Sequence, residues 1–244
     1  MDVAFPYNNN NNSSSSSSSS APWLLLGHSM GGKVAMWVAL HQPQRVRALV
    51  VADIAPVDYG ADPRWDTIPA VLRAMQDMPV EARRSRGAAD QWMRSHPAGH
   101  PLQQQAALRA FVLTNLVAGP PHPPPPPPPP PPHQQQEEGG AVQEARGIPQ
   151  PMQWRVNVPL LQRSVRSLAD FPTVPEGLQY TQPCLFVRGE HSHYVQGPQR
   201  EEAVRKLFPR AEIVTVEGAG HWVHAEQPEK FTAVVNDFLE RHHL

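Results

Sequence analysis

A short apolar run, Trp23-Leu24-Leu25-Leu26, leads directly into Gly27-His28-Ser29-Met30-Gly31-Gly32, and a helix-forming stretch follows at once. Strand, tight glycine turn and helix in that order leave few options for the serine between them. A residue at the apex of such a turn is forced into a strained backbone conformation, so small neighbours are expected on both sides, and Gly27 and Gly31 supply them. The hydroxyl then projects beyond the sheet. Behind it the helix N-terminus offers N–H groups without intrahelical partners and the positive end of a dipole, and the N–H of Met30 is the candidate donor to an oxyanion. A glycine-rich turn with a solvent-facing serine would share the five-residue Gly-x-Ser-x-Gly pattern. The strand before it, the helix after it and the third glycine favour a nucleophile.

Serine is a poor nucleophile unless a base takes its proton. The candidate base is His221, which lies in Gly218-Ala219-Gly220-His221-Trp222 after the β-branched run Glu212–Val216. Its small neighbours let the loop reach over the strand ends. A third group must hold the imidazole by its other nitrogen. Asp53 follows the strand Ala48–Ala52, at the carboxyl edge where ligands of parallel sheets gather, while Glu190 and Asp58 are rivals. Glu190 is the alternative acid because it follows another strand, Cys184–Arg188. His191, His193 and His224 could join His221 around a metal, but no carboxylate spacing supports that, so neither metal nor cofactor is expected.

Between low-complexity tracts the chain alternates short β-branched or leucine runs with helix-period segments, which predicts an α/β fold with a parallel sheet and flanking helices. The predicted strands are Trp23–Leu26, Ala48–Ala52, Cys184–Arg188 and Glu212–Val216. The helix after the first strand is predicted to bury Val34, Trp37 and Val38, and the last helix carries the stripe Phe231, Val234, Val235, Phe238 and Leu239. Residues 61–170 differ. Three amphipathic stripes (Ile68, Val71, Leu72, Met75; Leu108, Phe111, Val112, Asn115, Leu116; Val158, Leu161, Val165, Leu168) come with no evident strand, as a helical cap inserted into the sheet domain would. The expected organisation is a disordered Asn/Ser-rich leader over 1–21, a core of 22–60 with 171–244, and a cap of 61–170. The cap contains a Pro/Gln-rich insertion at 120–140. Pro123–Pro132 reads as a stiff polyproline II rod, either a tolerated loop insertion or a ligand for profilin, SH3 or WW domains.

Charge and composition remove several function classes. Lys and Arg total 21 against 22 for Asp and Glu, so no basic footprint points to nucleic acid or an anionic membrane. No apolar run approaches the roughly 18 residues of a membrane span, which predicts a soluble chain. One cysteine, Cys184, rules out an intrachain disulfide framework. The first basic residue is Lys33, so the start lacks the marks of a secretory signal or a transit peptide. The expectation is intracellular rather than secreted, with the compartment unknown.

At these residues the chain resembles the α/β-hydrolase superfamily and, within it, the branch of YbfF-type esterases that includes abhydrolase-domain protein eleven. Gly27-His28-Ser29-Met30-Gly31-Gly32-Lys33 is similar to that branch's nucleophile elbow, and Ala52-Asp53-Ile54-Ala55-Pro56-Val57 to its segment after the next strand. Phe111 to Leu116 with Trp154-Arg155-Val156-Asn157 resembles its cap. Phe186-Val187-Arg188-Gly189 with Ser192 and Tyr194, and Gly220-His221-Trp222-Val223-His224-Ala225, extend the likeness over about residues 22–119 and 150–241. The resemblance implies Ser29 as nucleophile, Asp53 as orienter and His221 as base. It also sets Ser192 where most of the superfamily carries its aspartate, and it allows a mitochondrial or plastid location.

A member of that superfamily carries about four strands before its elbow, with a loop that supplies a second oxyanion donor. Here Met1–Pro22 alone precede Trp23. The strand Trp23–Leu26 is therefore expected at a sheet edge, in a truncated product of low stability and weak activity. The function expected is that of a serine hydrolase cleaving carboxylic esters or thioesters through an acyl-enzyme on Ser29, with Trp65, Trp92 and Trp154 of the cap suiting a lid over an apolar acyl pocket. The alternative is a weak or inert hydrolase-like scaffold with a proline-rich interaction loop.

Overall fold

A computed structural model describes residues 22–97, 100–118 and 151–244, with the side chains of 63 and 64 left aside. The leader, the proline rod and the whole of the 120–140 insertion fall outside the described residues. In chain order the elements are β1 (Trp23–His28), α1 (Met30–His41), β2 (Val46–Ala52), α2 (Thr67–Asp77), α3 (Arg86–Arg94), α4 (Pro101–Gln104), α5 (Ala106–Leu113), β3 (Leu116–Val117), β4 (Gln153–Trp154), α6 (Val158–Ala169), β5 (Cys184–Gly189), α7 (Pro198–Leu207), β6 (Ala211–Val216), α8 (Val223–Glu226) and α9 (Pro228–Arg241). Two compact units divide at about 57 and 172. Among the described residues no helix is long and apolar enough to cross a membrane.

The first unit is a four-stranded parallel sheet in the order β1-β2-β5-β6. Six of the seven residues of β2 are buried. This near-continuous apolar run is the mark of a parallel strand covered on both faces. Val46 O at the start of β2 accepts from Tyr180 Oη (3.1 Å), so the buried phenol is satisfied. On one face α9 packs Val235 and Phe238 against Val50, Leu185 and Val187.

Helix α1 departs from expectation. It buries Gly32, Ala35, Met36, Ala39 and Leu40, while Val34 is 60% exposed and Trp37 and Val38 only half-buried. The reading from bulky residues chose the wrong stripe. Close packing of helix on sheet selects the small side, since a Cβ at Gly32 would sit 2.7 Å from Ile54 Cγ2 and 3.1 Å from Val51 Cγ1. Strand β1 pairs with β2 alone among the described residues, and Trp23 and Leu26 are exposed.

The second unit is mainly helical, with a core that includes Leu72, Met75, Met93, Leu102, Val112 and Leu116. Trp92 and Trp154 pack against this core, and Trp154 Nε1–H donates to Met75 O (2.8 Å), so both rings serve the unit's own interior. Ser85 and Asn157 cap α3 and α6 by accepting from Ala88 N–H (3.1 Å) and Leu160 N–H (3.0 Å). The buried Arg109 guanidinium is matched by Asp90 Oδ1 (2.8 Å), Leu102 O (2.8 Å) and Gln103 O (3.0 Å).

The stripe drawn through Leu116 is corrected. Helix α5 ends at Leu113, Phe111 is 48% exposed, and Leu116 pairs with Trp154 in the two-residue antiparallel ladder β3–β4. The expectation of no strand in 61–170 misses this ladder because two residues are too short to show a period.

Candidate active site

All four strands of the sheet point the same way, so the loops after β1, β2, β5 and β6 meet at one carboxyl edge. Backbone hydrogen bonds carry the ladder one step past the strands. Ser29 N–H donates to Ala52 O (3.0 Å), Asp53 N–H to Val187 O (2.8 Å) and Glu190 N–H to Val216 O (3.1 Å). The candidate residues therefore stand on a rigid rim within the sheet unit.

Ser29 has φ 54° and ψ −119°, the strained apex expected of a strand-to-helix turn. The glycine that makes the turn possible is Gly27, where a Cβ would lie 2.3 Å from Gly31 O and 2.6 Å from Gly32 N. At Gly31 an added Cβ meets nothing within 4 Å. The expected need for a small residue on both sides thus holds at Gly27 and not at Gly31; on the helical side it passes to Gly32, which packs on the sheet. Met30 opens α1, so its N–H has no acceptor inside the helix.

The Ser29 hydroxyl donates to His221 Nε2 (3.0 Å), and His221 Nδ1–H donates to Asp53 Oδ2 (2.7 Å). The Asp53 carboxylate only accepts, which assigns the proton to Nδ1 and leaves Nε2 of the neutral ring to accept from the hydroxyl. Asp53, also at positive φ (55°), is fully buried, whereas the His221 side chain is 23% exposed. A carboxylate removed from water is tolerated only when its oxygens accept hydrogen bonds. Here three donors converge on it: His221, Gly189 N–H (3.1 Å to Oδ1) and the hydroxyl of buried Ser192, which reaches Oδ2. A serine at position 192 cannot hold a histidine as a carboxylate would. Its contact is with the aspartate instead.

The rivals for the acid position are engaged elsewhere. Glu190 Oε2 accepts from Gly218 N–H (2.8 Å) and lies 3.6 Å from His191 Nε2. Asp58 belongs to the helical unit, where its carboxylate makes a two-pronged ion pair with Arg166 (2.8 and 2.9 Å) and accepts from Gly60 N–H (2.7 Å). Glu190 follows a strand of the same sheet as Asp53 does, and side-chain direction separates the two.

Around the imidazole stand other aromatic groups. The ring of Tyr194, 8% exposed, lies 4.1 Å from that of His221, and His193 stacks on Tyr194 at 4.4 Å. His28 sits 4.8 Å from His221 and 4.7 Å from His224, ring to ring. Burial holds the His28 pKa below the ordinary histidine value, and the charges of His221 and His224 push the same way. Among the described residues no group of three or more His, Cys, Asp or Glu side chains is arranged to hold a metal ion.

Comparison with known proteins agrees with this architecture. Residues 18–228 match the alpha/beta hydrolase fold family. The chain is 36% identical over 222 residues to a mouse (Mus musculus) protein named sn-1-specific diacylglycerol lipase ABHD11, covering 89% of this chain and 59% of that protein. It is 29% identical over 214 residues to esterase YbfF of Escherichia coli strain K12, covering 88% of this chain and 66% of that one. Among solved structures it is similar to a marine microorganism esterase at TM-score 0.67 and 27% identity, covering 88% of this chain and 69% of the other. The chain thus spans about three fifths of the mouse relative it matches. With the parallel sheet, the strained serine turn and this match over most of its length, the chain belongs to the α/β-hydrolase fold family.

Proposed function

We propose that the chain is a serine hydrolase that cleaves carboxylic esters or thioesters through an acyl-enzyme on Ser29, with His221 as base and Asp53 as its orienter. The observation that carries the reading is the unbroken line from Ser29 Oγ to His221 Nε2 and from His221 Nδ1 to Asp53 Oδ2, at 3.0 and 2.7 Å. Such a line lets the hydroxyl proton pass to Nε2 as Oγ attacks the acyl carbon. The charge that develops on the imidazole faces Asp53, whose buried carboxylate is already matched by Gly189 and Ser192 and needs no rearrangement. His221 then returns the proton to the leaving alcohol or thiol. In the second half it takes a proton from water as that water attacks the acyl carbon, and gives it to Ser29 Oγ as the acyl–Oγ bond breaks and the acid leaves.

The N–H of Met30, at the start of α1, is the donor for the carbonyl oxygen as it becomes an oxyanion. The named relatives support an ester substrate, since one is called a diacylglycerol lipase and another an esterase. Thioesters fit the same attack because the acyl carbon is the reacting atom in both. A serine nucleophile has no carboxylate oxygen to displace a halide or open an epoxide, so those reactions do not fit.

The test is covalent labelling of the full chain with a fluorophosphonate probe, read with turnover of p-nitrophenyl butyrate. Ser29 carries the label in the unaltered protein, and Ser29→Ala abolishes both signals. Labelling that persists in Ser29→Ala, or an unaltered folded protein that takes no label, rejects the reading.

A further inference from the structure

We propose that Glu226 and His28 are positioning residues that clamp the backbone of His221 from two sides and so set its imidazole between Ser29 and Asp53. The inference rests on the serine-hydrolase reading for its catalytic meaning, while its geometry stands apart from it.

The loop that carries His221 is anchored at its start, where Gly218 N–H donates to Glu190 Oε2 (2.8 Å) and Ala219 O accepts from His191 N–H (2.9 Å), but Gly218 and Gly220 bring no side chains to hold the part beside the histidine. Gly218, Ala219 and Gly220 precede the histidine, and Gly218 lies at φ 74°. An imidazole on such a loop is placed only as well as the peptides beside it. One carboxylate spans those peptides: Glu226 Oε2 accepts from Gly220 N–H (2.7 Å) and Oε1 from Trp222 N–H (3.0 Å). The N–H groups of the residues on either side of His221 are thus tied to a single planar group. A Cβ at Gly220 would press to within 3.1 and 3.2 Å of the two oxygens, so the glycine leaves the carboxylate its place.

A third polar group of this backbone is the carbonyl of His221, and His28 Nε2–H donates to it (2.8 Å). A carbonyl oxygen only accepts, so Nε2 carries the proton. Because His28 directly precedes Ser29 and ends β1, this bond links the nucleophile's turn to the base's loop, 193 residues later. Nucleophile and base are therefore registered to one another through backbone as well as through their own hydrogen bond.

A rival account makes Glu226 a mere closure for the short helix α8, in which it is the last residue. That account predicts a change in melting temperature with no change in how His221 sits. The experiment compares Glu226→Ala, Glu226→Gln and His28→Phe in the full chain, reading kcat and KM on p-nitrophenyl butyrate, the melting temperature, and the downfield proton NMR line of His221 Nδ1–H. Glu226→Ala should lower kcat roughly ten- to a hundred-fold with KM within about twofold, and shift or broaden the line. Glu226→Gln keeps one acceptor oxygen and should fall between. His28→Phe should act in the same direction as Glu226→Ala. Variants that lower the melting temperature but leave both kcat and the line unchanged overturn the clamp. If the unaltered protein shows the line, loses it in Glu226→Ala, and neither labels nor turns over, the hydrolase reading fails and the clamp stands.

Discussion

Ser192 donates its hydroxyl to Oδ2 of Asp53, the same oxygen that accepts the Nδ1–H of His221. One buried hydroxyl thus supports the carboxylate at the oxygen that holds the imidazole. Losing a hydrogen bond to a buried charged group costs about 1.5–3 kcal/mol. Ser192→Ala should therefore lower kcat/KM roughly ten- to a hundred-fold, since about 1.4 kcal/mol is a factor of ten. Asp53→Asn should lose on the order of 10⁴, as removal of an orienting carboxylate does. Glu190→Gln, whose side chain faces Gly218 and His191, should stay within about threefold. Steady-state rates on one ester check the series, and a Glu190→Gln loss matching Asp53→Asn would reassign the acid.

The two glycines that frame Ser29 should behave in opposite ways. Gly27→Ala drives a methyl into Gly31 O and Gly32 N, both backbone atoms that cannot turn aside. It should destabilise the protein by more than about 3 kcal/mol and abolish probe labelling. Gly31→Ala meets open space inside the first turn of α1 and should be neutral or stabilising by up to about 1 kcal/mol. Urea titration of both variants decides. Equal damage from the two would mean that the serine turn is not held as described.

Stability should fall in mild acid in a way that depends on His28. Its pKa in the folded protein lies below the unfolded value near 6.5; burial is the main cause, the charges of His221 and His224 add to it, and Asp53 and the bond to the His221 carbonyl oppose it. In the window between the lower folded value and about 6.5 the unfolded chain binds the extra proton, so stability rises with pH through that window and is lost as pH falls below about 6.5. A melting-temperature series from pH 7.5 to 5 should therefore drop more steeply for the unaltered protein than for His28→Phe. Parallel curves would remove His28 as the cause.

The outline of the sheet was legible because buried parallel strands read as apolar runs. Ala48–Ala52 and Cys184–Arg188 differ from β2 and β5 only by end residues. Helix α7 has no legible stripe in the sequence, since Pro-Gln-Arg-Glu-Glu-Ala-Val-Arg-Lys-Leu buries Val204 and little else. On α1 the bulk of Val34 points to the wrong stripe, because the face against the sheet is set by Gly32, Ala35 and Ala39 with Met36 and Leu40. Ser29 and His221 were legible from their glycine-rich surroundings. Asp53 is preferred to Glu190 in the sequence, but both follow strands, and the fold shows which carboxylate turns toward the imidazole. Glu226 gave no signal at all: an acidic residue five positions past a histidine looks like ordinary surface until the loop folds back on it.

Cys184 offers a direct test of the sheet. It starts β5, between Leu49 of β2 and Ala211 of β6, with no exposure, and burial pushes its thiol up to about 12, with the charge of Glu212 adding to the shift and that of Arg210 opposing it. A thiol reacts as the thiolate, so both access and ionisation are withheld in the folded chain. Ellman's reagent at pH 8 should leave the native protein unmodified over an hour and label it fully in denaturing urea. At intermediate urea the labelled fraction should follow the loss of far-ultraviolet circular dichroism, because exposing this sulfur requires the central strands to part. Stoichiometric reaction within minutes in native buffer would mean that β2, β5 and β6 separate readily, and that the rim holding Ser29, Asp53 and His221 lacks the rigid base derived above.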